Sequence, residues 1–188
     1  MFFLFFLVIA IAFFVYFGKE ENRAKHRVKG PPLPDNYVKK YSEYKLPNGW
    51  QVAPGLFLGG FDLNSLVLQN ANMEKSDLRE ADVSNCNLRG ANLRGVNLTG
   101  ANLTESDLTG TDLTGANLTN ANLRGTQLVE TKFCGANLTG AVLIGATMRF
   151  TDFRDANLKD SRLRRKDCHG VNFKNSNLTE AIVNGYEY

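Results

Sequence analysis

A five-residue repeat runs through two-thirds of this 188-residue chain and limits what the chain can fold into. From Phe61 to Gly185 the sequence divides into 25 consecutive units with neither an insertion nor a gap. A period of five matches neither the 3.6 residues of a helical turn nor the two-residue alternation of a flat strand. Uninterrupted repetition at a short fixed period is typical of a solenoid, in which each unit stacks on equivalent units above and below.

The residue types at the five positions predict which side chains face the core. The third position is Leu, Phe, Met or Val in 24 units, and the first position is mostly a small residue. These two positions flank one residue that is Asn or Asp in 18 units, so both can point inward as in a short strand. The recurring Gly, Asn and Asp indicate a bend in every unit. We therefore predict an all-β solenoid.

Individual units resemble a known family. Units such as ANLRG, ANLTG, ADVSN and SDLTG match the A-(D/N)-L-x-x pattern of the pentapeptide repeat proteins. The resemblance implies a right-handed quadrilateral β-helix with four units in each coil, and so about six coils over residues 61–185. Coils of that length would stack one inner column of Met73, Leu93, Leu113, Phe133, Phe153 and Phe173. We expect the last three, Phe133, Phe153 and Phe173, to form a packing ladder in the core.

The N-terminal segment is predicted to anchor the chain in a membrane. Residues 1–17 are uncharged and apolar, and as a helix they would span about 25 Å, near the lower limit for crossing a bilayer. A cleaved signal peptide is the alternative. However, no basic residue precedes the apolar run, and its only A-x-A pattern lies inside it. We predict an uncleaved transmembrane helix at residues 1–18.

The segments after the anchor predict its orientation and the domain boundaries. Residues 19–34 hold five Lys or Arg and end in a Pro-rich linker. Because positive residues stay on the cytoplasmic side, we expect a single-pass membrane protein with a cytoplasmic repeat domain. Residues 35–60, with apolar side chains near their end, are predicted to form a short N-terminal cap. The β-helix then occupies 61–185, and 186–188 form its C-terminal end.

The unit KDCHG combines residue types that perform covalent and acid–base chemistry. Its spacing places Lys166 and Cys168 at inward positions and Asp167 and His169 at outward positions. Cys168 and His169 would then face opposite sides of the wall, so they are not expected to act as a nucleophile and its base. Lys166 is the anomaly, because an unpaired buried ammonium is costly. We interpret it as an adaptation of the terminal coil, with a functional role as the alternative.

Charge is graded along the repeats. Residues 61–130 hold 9 acidic and 5 basic residues, whereas residues 131–185 hold 5 acidic and 9 basic residues. The basic end is predicted to be either an interaction surface or a solvated face, and includes Arg149, Arg154, Lys159, Arg162, Arg164 and Arg165.

These features predict a protein without enzymatic activity, cofactor or metal. The first hypothesis is a membrane-anchored scaffold that binds a protein partner through an extended surface. The resemblance suggests one alternative, because some pentapeptide repeat proteins mimic DNA and bind DNA gyrase. Such mimicry requires a dominantly acidic surface, which this near-neutral repeat region lacks, and direct binding of nucleic acid is not expected either. A third hypothesis is binding of anionic lipid by the basic end. The open C-terminal end, with Tyr186 and Tyr188, also invites end-to-end stacking of a second copy.

Overall fold

The computed structural model describes Gly55 and residues 58–60, 62–164 and 167–183. The predicted anchor at 1–18 and the linker at 19–34 lie outside the described residues. So do most of the predicted cap at 35–60 and the C-terminal end at 186–188. Among the residues that are described, no helix has both the length and the apolar character needed to cross a membrane.

Parallel bridges between residues 20 apart define the architecture. They form four columns, one for each wall of the coil, and these walls are called faces I to IV here. Face I carries bridges from Asp62 to Arg162, and face II carries them from Val67 to Thr147. Face III runs from Asn72 to Asn172, and face IV from Asp77 to Asn177. The period of 20 residues and the four columns make a four-sided β-helix built from one five-residue unit per wall.

Only the last pair of coils contains strands longer than a single bridge. Strand β1, Arg162–Leu163, pairs in parallel with strand β2, Ile182–Val183, on face I. Elsewhere in the described residues each unit except KDCHG contributes one bridging residue, because the chain turns a corner immediately afterwards. The fold is therefore held by many short ladders that share one register.

Backbone hydrogen bonding is nearly the same in every unit. In the unit beginning at Ala101, the Asn102 N–H donates to the Ala81 carbonyl of the preceding coil (3.0 Å). The Leu103 N–H donates to Asn122 of the following coil (2.8 Å), and the Ser106 N–H closes the turn onto Leu103 (3.1 Å). Because most buried N–H groups have a partner in an adjacent coil or turn, a wall of one-residue strands remains stable.

The turn in each unit places its fifth residue in the left-handed region. Every described fifth position from Gly55 to Glu180 has a positive φ, although the residue is Gly at only 12 of them. The other positions carry mainly Asn, Asp, Glu, Ser and Lys, and one of them carries Phe150. Glycine adopts this conformation without strain, which explains why it recurs at this position in the sequence.

Inward first and third positions form the core. Nearly all third-position side chains in the inner coils are buried, most of them leucines. The rings of Phe133 and Phe153 stack with centroids 4.8 Å apart and planes 7° apart, and Phe153 stacks on Phe173 at 5.5 Å and 4°. Phe133 and Phe153 are fully buried, whereas Phe173 is only partly buried in the last coil. Burying each large apolar side chain contributes about 1.5–3 kcal/mol, so the core needs no additional cross-link.

Second-position side chains explain the preference for Asn and Asp. Asn117 Oδ1 accepts a hydrogen bond from the Thr119 N–H (3.1 Å), and the same contact recurs in most units. Such a side chain stabilises the turn that follows it. On face IV the amides also join neighbouring coils. Asn157 Nδ2 donates to Thr139 Oγ1 (2.9 Å), and Asn177 Nδ2 donates to Asn157 Oδ1 (3.0 Å).

The coil extends N-terminal of the predicted boundary at Phe61. Leu58 is buried in the core, and its N–H donates to the Asp77 carbonyl (2.7 Å). Gly55 and Gly60 occupy fifth positions with positive φ. Residues 58–60 therefore belong to the β-helix and not to the cap that the sequence predicted.

The ladder of face II is interrupted in the KDCHG unit. Over the described part of the chain, Asp167 forms no bridge with Thr147. Its N–H instead donates to the Arg164 carbonyl (3.0 Å) in a short 3₁₀ turn. Asp167 Oδ2 is buried and has no hydrogen-bond partner among the described residues. Lys166, the predicted anomaly of this unit, lies outside the described residues.

The register survives this interruption. The bridge between Asp152 and Asn172 restores the 20-residue spacing directly afterwards. Because the unit keeps its length of five residues, the remaining coil stacks as the earlier ones do.

Candidate interaction surface

The structure distributes five of the six predicted basic residues around the rod. Arg162 lies in the middle of face I, and Arg164 lies at the edge between faces I and II. Arg149 is at the edge between faces II and III, because it follows the bridging Thr147 by two residues. By the same spacing, Arg154 is at the edge between faces III and IV, and Lys159 is at the edge between faces IV and I. Arg165 lies outside the described residues.

Two of these residues are neutralised by neighbouring carboxylates. Arg154 Nη2 lies 2.6 Å from Asp152 Oδ2, and Lys159 Nζ lies 3.9 Å from Asp160 Oδ2. The hydrogen bond from Arg154 holds the pKa of Asp152 below its usual value. The sequence contains the signal for the first pair, since Asp152 is the second-position residue of the unit that carries Arg154.

In the N-terminal half of the β-helix, aspartates pair with arginines of the preceding coil. Arg89 Nη1 lies 3.2 Å from Asp107 Oδ2, and Arg94 Nη1 lies 3.1 Å from Asp112 Oδ2. Burial acts to raise the pKa of each aspartate, but hydrogen bonds from Thr109 or Thr114 and from the arginine outweigh it and lower the pKa. These arginines strengthen the stacking of coils and are not free for a ligand.

The remaining arginines of faces I and II are unpaired. Arg149, Arg162 and Arg164 form no ion pair with any described residue, and neither does Arg124 in the coil below. Arg124, Ile144 and Arg164 occupy the same fourth position in three consecutive coils, above and below one another. Their unit sequences offer no second-position carboxylate, which is why the charge stays available.

Outward apolar side chains cluster beside these arginines, and sequence reasoning missed them. Val129, Val142, Ile144 and Phe150 occupy positions that are polar or glycine in most other units. Phe150 is 63% exposed, and the guanidinium of Arg149 lies 5.9 Å from its ring centroid. The available signal was a departure from the repeat at the second, fourth and fifth positions within residues 129–150.

The cysteines are structural groups in this architecture. Cys86 is buried, its thiol donates to the Leu63 carbonyl (3.0 Å), and burial raises its pKa to about 12. Cys134 donates to Asp152 Oδ2 (3.3 Å), and burial followed by this hydrogen bond raises its pKa. A raised pKa disfavours the thiolate, which is the reactive form.

Cys168 and His169 do not form a catalytic pair. The Cys168 thiol is partly buried and donates to the Arg164 carbonyl (3.3 Å), whereas the His169 side chain is exposed. Burial, and then the nearby charge of Asp167, raise the pKa of the Cys168 thiol.

Among solved structures, the chain is similar to HetL from Nostoc sp. strain PCC 7120, a pentapeptide repeat protein involved in regulating heterocyst differentiation. The two share 27% identity over 70% of each chain, with a TM-score of 0.33. A thylakoid-lumen pentapeptide repeat protein of Arabidopsis thaliana is 30% identical over 61% of this chain and 77% of that chain, with a TM-score of 0.29. No curated protein matches the chain significantly.

A plasmid-mediated fluoroquinolone resistance protein, QnrB1, also matches. It is 15% identical over 71% of this chain and 81% of that chain, with a TM-score of 0.30. Similarity at this level carries no inference about function.

The repeat pattern itself establishes the family. The family model described as pentapeptide repeats matches eight copies over residues 58–95, 97–133, 121–160 and 151–185. Its members form right-handed quadrilateral β-helices, in agreement with the four columns of bridges at a period of 20 residues. The chain belongs to the pentapeptide repeat family.

Proposed function

We propose that this protein is a non-enzymatic scaffold that is anchored in a membrane and binds a protein partner through faces I and II of its β-helix. The rigid coil supports this role, because its outward side chains are fixed by one register over the whole rod. Solenoids commonly use such extended surfaces for protein interaction.

One observation carries the proposal. Arg124, Arg149, Arg162 and Arg164 remain unpaired beside outward apolar side chains, whereas Arg89, Arg94 and Arg154 are all neutralised within the rod. Arginine and aromatic side chains are enriched where proteins bind one another. The DNA-mimic alternative gains no support from this surface, since imitation of phosphates requires acidic groups in place of free arginines.

Photo-crosslinking in the native membrane tests the scaffold role. A photoreactive benzoylphenylalanine replaces Phe150 in the full chain, and a matched variant carries the same group at Thr114 on the edge between faces III and IV. We expect a discrete crosslinked protein from position 150 only. Equal crosslinking from both positions, or none from either, would contradict a partner surface on faces I and II.

Anchoring at residues 1–18 and a cytoplasmic repeat domain are also part of the proposal. They rest on the uncharged apolar run and on the basic residues that follow it at 19–34. Protease added to cells with an exposed inner membrane should leave the repeat domain intact until the membrane is permeabilised. Digestion before permeabilisation would reverse the orientation, and release of the chain by high salt would rule out the anchor.

A further inference from the structure

One coil of the rod departs from the repeat on its outer surface. Residues 142–150 place Val142 at a second position and Ile144 at a fourth position, and both side chains are partly exposed. The fifth position of the next unit is Phe150. Most units place Asn, Asp, Thr, Arg or Gly at these outward positions, whereas this coil places three apolar side chains there.

Phe150 is the one apolar residue, glycine aside, among the described fifth positions with left-handed backbone. Its φ is 57°, whereas the other described non-glycine residues at this position are Ser, Asn, Lys, Glu and Asp. Left-handed backbone costs an ordinary L-residue about 1–2 kcal/mol, and this cost is not offset by burial because the ring is 63% exposed. Strained residues that stay exposed are candidates for a functional role.

The ring of Phe150 is supported on one side and open on the other. A Cβ placed on Gly170, in the next coil, would lie 3.1 Å from the Phe150 Cδ1, so the ring rests against glycine backbone. Arg149 stands near the same ring, with its guanidinium 5.9 Å from the centroid. The outer surface of the ring is therefore available to a second apolar group, with a cation beside it.

Ile144, Arg149 and Phe150 form a largely apolar strip, and cations lie in the coils before and after it. Arg124 and Arg164 lie in the coils on either side of Ile144, and both lack an ion pair within the described chain. The acidic groups near the strip are Glu105, whose carboxylate lies over Gly125 next to Arg124, Glu130, at an exposed fifth position, and Asp167, whose Oδ2 is buried. The charge that faces solvent around the strip is thus predominantly positive.

From this arrangement we propose that the strip formed by Ile144, Arg149 and Phe150, with Arg124 and Arg164 beside it, binds an extended acidic segment of another protein that carries an apolar side chain. The proposal rests on the scaffold function above and names the chemistry of its partner. The apolar side chain of the partner packs on Phe150, its backbone crosses face II towards Ile144, and carboxylates on either side of that side chain meet the arginines. One wall is about 10 Å wide, so roughly three to four extended residues cross it.

A protein segment fits this strip better than nucleic acid or a bilayer does. Nucleic acid is held by a continuous row of phosphate contacts, whereas Glu130 and the apolar residues interrupt the cations here. Insertion into a bilayer depends on buried apolar area, and Phe150 is the one large apolar side chain of the strip that is mostly exposed.

Selection from a random peptide library tests the proposal directly. Displayed peptides of about 12 residues, long enough to cross two walls, are selected on the full chain in detergent micelles. Counter-selection uses the F150N/R164Q variant. The dominant peptide is then made synthetically and titrated against the wild type by fluorescence anisotropy. Phosphatidylserine vesicles and a single-stranded oligonucleotide are titrated in parallel.

We expect the selected peptides to contain at least two carboxylates and one large apolar residue. F150N should weaken binding about tenfold, and R124Q or R164Q about threefold each. R154Q is the matched control, because its guanidinium is already paired with Asp152, and it should change binding less than twofold. F150N should not reduce the melting temperature, since Asn tolerates the left-handed backbone.

Three results would overturn the proposal. They are peptides that are not acidic, binding that F150N leaves unchanged, and tighter binding of the vesicles or oligonucleotide through the same residues. If crosslinking from position 150 still captures a protein, the scaffold function stands and only the chemistry of the partner is wrong. If neither acidic-peptide binding nor crosslinking from position 150 is observed, the scaffold function is contradicted as well.

Discussion

At the scale of single residues, the fifth position of each unit shows how the fold tolerates its own strain. The left-handed backbone is present at every described fifth position, yet only some of these residues are glycine. Asn and Asp accept this conformation at low cost, whereas a bulky residue does not. Phe150 and Gly170 are therefore coupled. The aromatic ring of one coil lies where a side chain of the next coil would project.

Replacing Gly170 by alanine should destabilise the rod by about 1–2 kcal/mol, because residue 170 has a positive φ and the new Cβ would crowd the Phe150 ring. Chemical denaturation of wild type, G170A, F150N and the double variant measures both contributions. G170A should cost less in the F150N background, where the ring is absent and only the backbone strain remains. An equal cost in both backgrounds would show that ring and glycine do not interact.

At the scale of elements, the phenylalanine ladder connects three coils within one wall. Phe153 contacts a ring on either side, whereas Phe173 ends the stack and is partly exposed. The 20-residue spacing makes this column readable from the sequence once a coil of four units is assumed. The contribution of each ring to stability cannot be predicted in the same way, because it depends on how deeply the last coil buries Phe173.

Phe153→Ala should reduce the free energy of unfolding by about 3–5 kcal/mol, since it removes a fully buried ring and leaves a cavity between two others. Phe173→Ala should cause a clearly smaller loss of unfolding free energy. Phe153→Leu should cause the smallest loss of the three, because leucine keeps most of the buried volume. Equilibrium unfolding of the three variants gives the order. A loss at Phe173 equal to that at Phe153 would mean that the terminal coil is as well packed as the interior.

The ion pairs between coils predict a dependence of stability on pH. Asp107 and Asp112 have folded-state pKa values below their ordinary value, so their charged forms favour the folded state. This contribution is fully present above the unfolded pKa of about 3.9 and is lost as the pH falls through the lower folded value. The melting temperature should therefore drop as the pH is lowered from about 5 to 3.

The R89Q/R94Q variant is the control for this dependence. It should melt at a lower temperature at neutral pH and lose less on acidification, because one of the causes of the lowered pKa values has been removed. If wild type and variant show the same acid profile, carboxylates elsewhere govern the dependence.

At the scale of the whole molecule, the five-residue repeat was enough to predict the solenoid. The surface could not be predicted in the same way, because it depends on positions where the residue departs from the repeat. Inward columns such as the one through Phe133 follow from period and residue type alone. The 3₁₀ turn at Asp167 does not follow from them, because the KDCHG unit has the same length and spacing as its neighbours. The difference between paired Arg154 and unpaired Arg164 depends on which neighbouring units carry a carboxylate. The exposure of Phe150 could not be predicted without knowing that Gly170 of the following coil lies against its ring.

Stacking in one register predicts that the rod accepts a whole coil but not a part of one. Duplicating residues 101–120 adds four complete units, so every downstream inward residue keeps its position and the rod lengthens by about 4.8 Å. Duplicating residues 101–119 instead shifts residues 121–183 by one position and turns their inward side chains outward. Hydrogen exchange of the full chain in micelles should show protected amides throughout the first variant and unprotected amides beyond the insertion in the second. Protection of the downstream coils in the 19-residue variant would mean that a single turn absorbs the register error, so that each coil folds independently of the one before it.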